Sequence, residues 1–368
     1  MSSELPPHRK NFLKIWVVGL AVIYLALGVM AVSIVENEKQ AASRDHMLRM
    51  DANAVEPGKT PPDPLPTNGE FINVKLGIYV DGIENFTIKD SSWTATFYVW
   101  FNWKGDKSLD PGKTFQLVDA RTESKELLDN YNSADGTNYQ RFKIVAKINK
   151  FFNTTRVPLD DHMLNIYIED SERDASRLRY VADSAANVSS RVNVPGYTIT
   201  GMGSVVKPHT YKTGYGDPRM NGAKSTTFTE YNFALTLKRS GVGAFIKLFI
   251  GLFAGVLLTI GSFFIRPSDT SPRFGVPSAA YFGAVANAYL VNSLLPSSGH
   301  FGLADLVTTI GLFTIFACFV CSLTSAHFYL KTDEKELSHR LDTVSWITIG
   351  IGFLIINVAL PISAFAGL

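Results

Sequence analysis

The sequence has only two cysteines, Cys318 and Cys321, and both fall inside one apolar run. Its charge-rich middle has none, which excludes a disulfide framework there. Three residues apart on a helix, the two thiols share a face, but Ala317, Phe319 and Val320 bring no polar partner to them. They read as small apolar core residues, not as a zinc or redox pair. Charge of one sign is also missing: Lys+Arg 35 against Asp+Glu 33 leaves +2, too little for a field that would hold nucleic acid. There is no phosphate-cradling glycine loop, no His-Glu-x-x-His, no Gly-x-Ser-x-Gly and no Cys/His ligand spacing. Asp160-Asp161-His162 does not repair this, because adjacent residues of a strand point to opposite faces and Asp161 diverges from both neighbours. The sequence therefore reads as no enzyme, with no cofactor and no metal site, and it contains no internal repeat.

The charged share, 18%, is low against the ~25% of soluble proteins. The charges crowd into the middle of the chain and leave both ends nearly bare. Five apolar stretches, at 12–35, 244–265, 274–295, 303–330 and 343–366, are long enough to cross a bilayer. The first follows His8, Arg9 and Lys10 and ends near Val29-Met30-Ala31, so a cleaved signal peptide is one reading. Its length exceeds the usual h-region and helix-compatible sequence continues to Met50, which favours a retained anchor. Arg9, Lys10 and Lys14 put the N-terminus in the cytoplasm. Alternation then leaves Arg266, Arg273, Lys331, Lys335 and Arg340 in the two short cytoplasmic loops, as the positive-inside rule asks.

Prolines 57, 61, 62, 64 and 66 make 55–69 a semi-rigid extended spacer. From Phe71 to Arg239 the texture is β. Val74 to Val80, 94–103, 142–148, 164–168 and 231–237 alternate or are β-branched and aromatic, and Lys104-Gly105-Asp106, Asp110-Pro111-Gly112 and Ala134-Asp135-Gly136 mark turns. The expected fold class is a membrane protein: an N-terminal transmembrane helix (1–35), a helical and proline-rich linker (36–69), an extracytoplasmic antiparallel β-sandwich (70–239) and a four-helix transmembrane bundle (240–368).

Three local patterns sit in order along this frame. Arg156-Val157-Pro158-Leu159-Asp160-Asp161-His162-Met163-Leu164 sets a rigid proline turn, and an acid able to accept hydrogen bonds or pair with a cation, ahead of an alternating strand. Tyr98-Val99-Trp100-Phe101-Asn102-Trp103-Lys104-Gly105-Asp106 ends an early strand. Arg273-Phe274-Gly275-Val276-Pro277 opens an apolar helix that closes at Leu294-Leu295-Pro296, and Phe301-Gly302-Leu303-Ala304-Asp305 opens the next. Together these resemble the pentameric ligand-gated ion channel (Cys-loop receptor) family, in a divergent, prokaryotic, cysteine-free form with an extra N-terminal helix. The resemblance covers roughly 70–368. The family's bridge would fall at Lys150 and Leu164, and its usual proline in the first of the four helices is missing from 244–265.

What the resemblance implies is a homopentamer in a bacterial inner membrane, with the β-domain in the periplasm and inorganic ions passing along helix 273–295. Its pore face would be Arg273, Gly275, Ala279, Phe282, Ala286, Tyr289 and Ser293, with Phe282 as a hydrophobic gate. A phase error of one position would bring Ser278 and Asn292 to the axis instead, and Asn287 and Asn292 can equally be glue between helices. Arg273 at the mouth, after Ser271-Pro272, leans selectivity towards anions, although Asp269 lies close by. Val157, Pro158, Leu159, Asp160 and His162 would couple the β-domain to the turn 296–301. A small ligand would meet Trp100, Tyr211 and Tyr215, beside Lys212 and Asp217, and His162, His209 and His300 are the candidates if the agonist is a proton. The competing expectation is a non-conducting membrane sensor or scaffold that keeps the architecture.

Overall fold

The computed structural model describes residues 5–67, 70–213, 225–296 and 301–365. Its elements group by their own contacts into two units: 1–40 with 154–160 and 240–368, and 41–153 with 161–239.

The first unit is helical. Five helices are long and apolar enough to cross a membrane: α1 (Pro7–Met50), α3 (Gly243–Gly261, continued by a 3-10 turn to Phe264), α4 (Thr270–Ser293), α5 (Leu303–Leu330) and α6 (Lys335–Phe365). The apolar stretches of the sequence reappear here, with ends shifted by a few residues. All five feed one apolar cluster, through Tyr24, Phe249, Ala284, Val307 and Ile349 among others. α1 buries only a narrow stripe, Tyr24, Ala31, Val35, Lys39 and Ala42, while Ile15, Val18 and Leu25 stay exposed, as on a helix with lipid on most sides. Polar pins fix that stripe. Tyr24 donates to Thr314 Oγ1 (2.9 Å), Trp16 donates to Ser345 Oγ (3.1 Å), and Arg9 pairs with Glu334. Gly352 leaves the room that the Tyr24 ring fills, since a Cβ there would lie 2.6 Å from its Cγ.

The second unit is β-rich. One sheet has the order β4 (Ala120–Asn132), β5 (Thr137–Asn149), β2 (Ser92–Lys104), β1 (Ile72–Thr87), β7 (Leu178–Ala182), with β8 (Asn187–Val188) also against β1. The other runs β3 (Phe115–Val118), β6 (Asp161–Asp170), β10 (Thr226–Arg239), β9 (Tyr197–Tyr211). A single turn, α2 (Pro111–Thr114), precedes β3. The expected strands all lie inside β1, β2, β5, β6 and β10. Their period of two is visible in burial: Val74, Leu76, Ile78 and Val80 from β1, and Trp93, Ala95, Phe97, Val99, Phe101 and Trp103 from β2, point to one core. Leu164, Ile166, Phe233 and Leu237 of the other sheet join the same cluster. β6 is buried on both faces over its whole length, although 164–168 alternates Leu164, Ile166 and Ile168 with Asn165 and Tyr167.

Candidate functional site

Helix α4 has two contrasting faces. Arg273, Pro277, Ala280, Ala284 and Val291 are buried against the other helices. Gly275, Ala279, Phe282, Ala286, Tyr289 and Ser293 are all exposed, Phe282 at 74% and Tyr289 at 78%. The face singled out by the family pattern is thus the one that this unit leaves uncovered. Ser278 and Asn292 are exposed as well, so the free arc is wider than one stripe. Asn287 sits at its border and donates to the Leu248 carbonyl of α3 at 2.9 Å, the bond between helices that a mid-membrane amide needs. α4 is also the least apolar of the five spans.

Arg273 departs from the expectation. It is 0% exposed, pairs with Asp342 of α6 and donates to the Ile265 carbonyl at 2.6 Å. A guanidinium held in that way supplies no ring of charge at a pore mouth, and the lean towards anions loses its basis. It is a structural pin between α4 and α6.

The segment 154–160, which links β5 to β6, belongs by its contacts to the helical unit. All seven of its residues are buried, and Leu159 enters the helical apolar cluster. Two tight turns shape it, Val157 N to Thr154 O (3.1 Å) and Leu159 N to Arg156 O (2.7 Å), and the Val157–Pro158 peptide is cis. Asp160 opposes the charge of the buried Arg156. The contact with α5 is made through backbone: Leu303 N donates to Thr155 O at 2.6 Å, and Asp305 Oδ2 caps the helix by accepting from Gly302 N at 2.9 Å. Gly302 is required there, because a Cβ would stand 2.7 Å from Thr155 O and 2.9 Å from its Cα. Gly302→Ala is expected to destabilise the protein by about 1–3 kcal/mol in a melting assay, since backbone meets backbone and neither yields. Gly275→Ala, with nothing within 4 Å of its Cβ, should be neutral or slightly stabilising.

Val157, Pro158, Leu159 and Asp160 therefore lie together in the segment that meets the start of α5 through Thr155, but His162 is not with them. It opens β6 in the other unit, 2% exposed, ringed by Phe152 (5.1 Å between centroids), Tyr197 (5.8 Å) and Phe86 (6.1 Å). Alternation along the new strand turns it into the β core.

The expected ligand wall is divided within one chain. Trp100 lies on β2, its ring over Gly77, and donates to Asp183 Oδ2 at 2.9 Å. That bond and Lys75 at 3.2 Å hold the Asp183 carboxyl below its usual range, although burial opposes them. Tyr211 lies on the other sheet, at the end of β9, where it donates to Glu169 Oε2 at 2.7 Å and packs on the His209 ring at 4.6 Å. Tyr215, Asp217 and His300 lie outside the described residues.

Around Tyr211 the structure gathers groups that no linear spacing connects. Glu169 (β6), His209 (β9) and Glu230 (β10) are brought together by strand register, with Lys59 and Glu56 of the proline-rich segment beside them. His209 pairs with Glu169, which raises its pKa against the opposing effect of burial. Burial pushes the Glu230 carboxyl up to about 7, even though Lys59 donates to its Oε1 at 2.7 Å. Burial works against the Lys59 ammonium, yet Glu230 and Glu56 together raise its pKa.

No protein-family model matches the chain, and no curated protein matches it. The class defined by the fold is stated from its own parts: a chain with five potential membrane-spanning helices and a two-sheeted β unit.

Proposed function

We propose that the chain is the subunit of a homopentameric ion channel, gated through an extracytoplasmic β-sandwich by a small ligand or a proton. Four helices, α3 to α6, form the channel bundle and α1 is an added outer helix. The observation that carries this reading is the exposed face of α4. A helix surrounded by lipid gains by being apolar all round, whereas the stripe Gly275, Ala279, Phe282, Ala286, Tyr289, Ser293 leaves small and polar residues uncovered between two aromatic rings, beside the apolar Tyr281, Val285 and Leu290, which are also exposed. Copies around an axis would cover that face and enclose a path of small residues, narrowed at Phe282 by an apolar ring able to exclude water and at Tyr289 by a ring with a polar tip. The docking of 154–160 on the start of α5 supports a coupling role, since a shift of β5 and β6 would be felt at Gly302 and Leu303, where α5 begins. Gating then means that the agonist binds one of two packings better. The N-terminus would be cytoplasmic and the β unit periplasmic, in a bacterial inner membrane.

One observation favours the alternative, a non-conducting sensor of the same architecture: the only basic residue of the expected pore face, Arg273, is locked away from it. Protein reconstituted alone into liposomes separates the two. Channel activity together with a pentameric mass in detergent is the expected result. A pentamer without current would favour the sensor, and a monomer would end both readings.

A further inference from the structure

The side chains around His209 have the form of a metal site. We propose that Glu169, His209 and Glu230 bind a divalent transition-metal ion of the zinc class, which ties β6, β9 and β10 together. One ligand atom from each residue lies within 4.8 Å of the other two, close enough to converge on a single ion with small adjustments. The two carboxylates are used asymmetrically. Glu169 Oε2 accepts from Tyr211 at 2.7 Å while its Oε1 meets His209 Nδ1. Glu230 Oε1 accepts from Lys59 at 2.7 Å while its Oε2 faces His209 Nδ1 at 3.7 Å. Each acid is thus oriented by an outer donor on one oxygen and offers the other to the same point, as ligating carboxylates do.

The second observation is the state of Glu230 Oε2. The residue is 2% exposed, and this oxygen has no hydrogen-bond partner among the described residues. A buried carboxylate oxygen left so is costly unless a ligand completes it. A cavity of about 70 Å³, lined by Glu56, Lys59, Lys207, His209 and Glu230, opens beside it and has room for a water as a further ligand. Imidazole nitrogen with two carboxylates suits zinc and its neighbours, not calcium or magnesium, which favour oxygen alone. Lys59 remains as the outer partner of Glu230, also 3.2 Å from Glu56 Oε2.

The test is zinc binding by the purified full chain in detergent, with zinc chloride alone as probe, by competition against a chromophoric chelator. One zinc per chain is expected, with at least tenfold weaker binding in His209→Ala and Glu230→Gln. Tyr211→Phe keeps all three ligands and the ring packing, and removes only the hydrogen bond to Glu169 Oε2. Without zinc it should melt only slightly below the parent, by the one hydrogen bond lost to buried Glu169, yet bind zinc about 10–100-fold more weakly, the usual effect of losing a donor that orients a ligating carboxylate. This last variant keeps the test valid if the ligand variants misfold. No saturable binding at micromolar zinc, or affinity unchanged in His209→Ala or Tyr211→Phe, would overturn the proposal. Ion flux plays no part in the readout, so the result is separate from conduction.

Discussion

Asp342→Ala is expected to destabilise the helical unit by about 3–5 kcal/mol, the cost of leaving a buried charge without its partner. Arg273 is fully buried, and Asp342 is nearly so. The guanidinium also donates to Ile265 O, so it is held in place and cannot swing out to water when the acid is removed. Even in the intact protein Arg273 Nε and Asp342 Oδ2 have no hydrogen-bond partner among the described residues, which leaves little compensation in reserve. Removing both charges with apolar residues of similar volume, Arg273→Met with Asp342→Leu, should cost far less than Asp342→Ala alone, because the desolvation of both ions disappears with them. Melting in detergent measures both. A loss under ~1 kcal/mol for Asp342→Ala would mean that the pair is not the pin described here.

Phe282→Ala should raise the current without agonist at least tenfold, a factor worth ~1.4 kcal/mol of barrier. The ring is 74% exposed in the single chain and sits among glycine and alanine on its face, so its truncation removes no contact that the fold depends on. What it would remove in the proposed channel is the apolar constriction. Ile351→Ala on α6, equally outward-facing in one chain but expected against lipid, should leave the current unchanged. Equal effects from both would argue against a gate at Phe282.

How much of this could be read from the sequence depends on the reach of each pattern. The five spans and the strands β1, β2 and β5 follow from local periodicity, because one face of each element meets a core. β4 gave no such signal. Its residues Arg121 to Leu127 are exposed on both faces of an edge strand, and charges there suit an edge rather than a core. β9 and β10 pair antiparallel over nearly their whole length. Arg273 was misplaced for a physical reason: a basic residue at a helix start looks like a mouth residue unless its partner is known, and Asp342 is 69 residues away. His162 was assigned to the loop by sequence adjacency, whereas the pleat carries it into the β core. The cluster of Glu169, His209 and Glu230 was invisible because its members lie on three strands. Only the register of β10 against its two neighbours brings them together, so the sequence offers His209 as a candidate proton sensor and not as a metal ligand.

In the proposed channel the free face of α4 borders water within the membrane. Single cysteines placed along 275–293 test it most directly, because the two native thiols, Cys318 and Cys321, are buried and give little background. In liposomes, a charged, membrane-impermeant thiol reagent should modify positions 275, 279, 286 and 293 and spare 280, 284 and 291. Modification confined to lipid-soluble reagents at the first set would contradict the account.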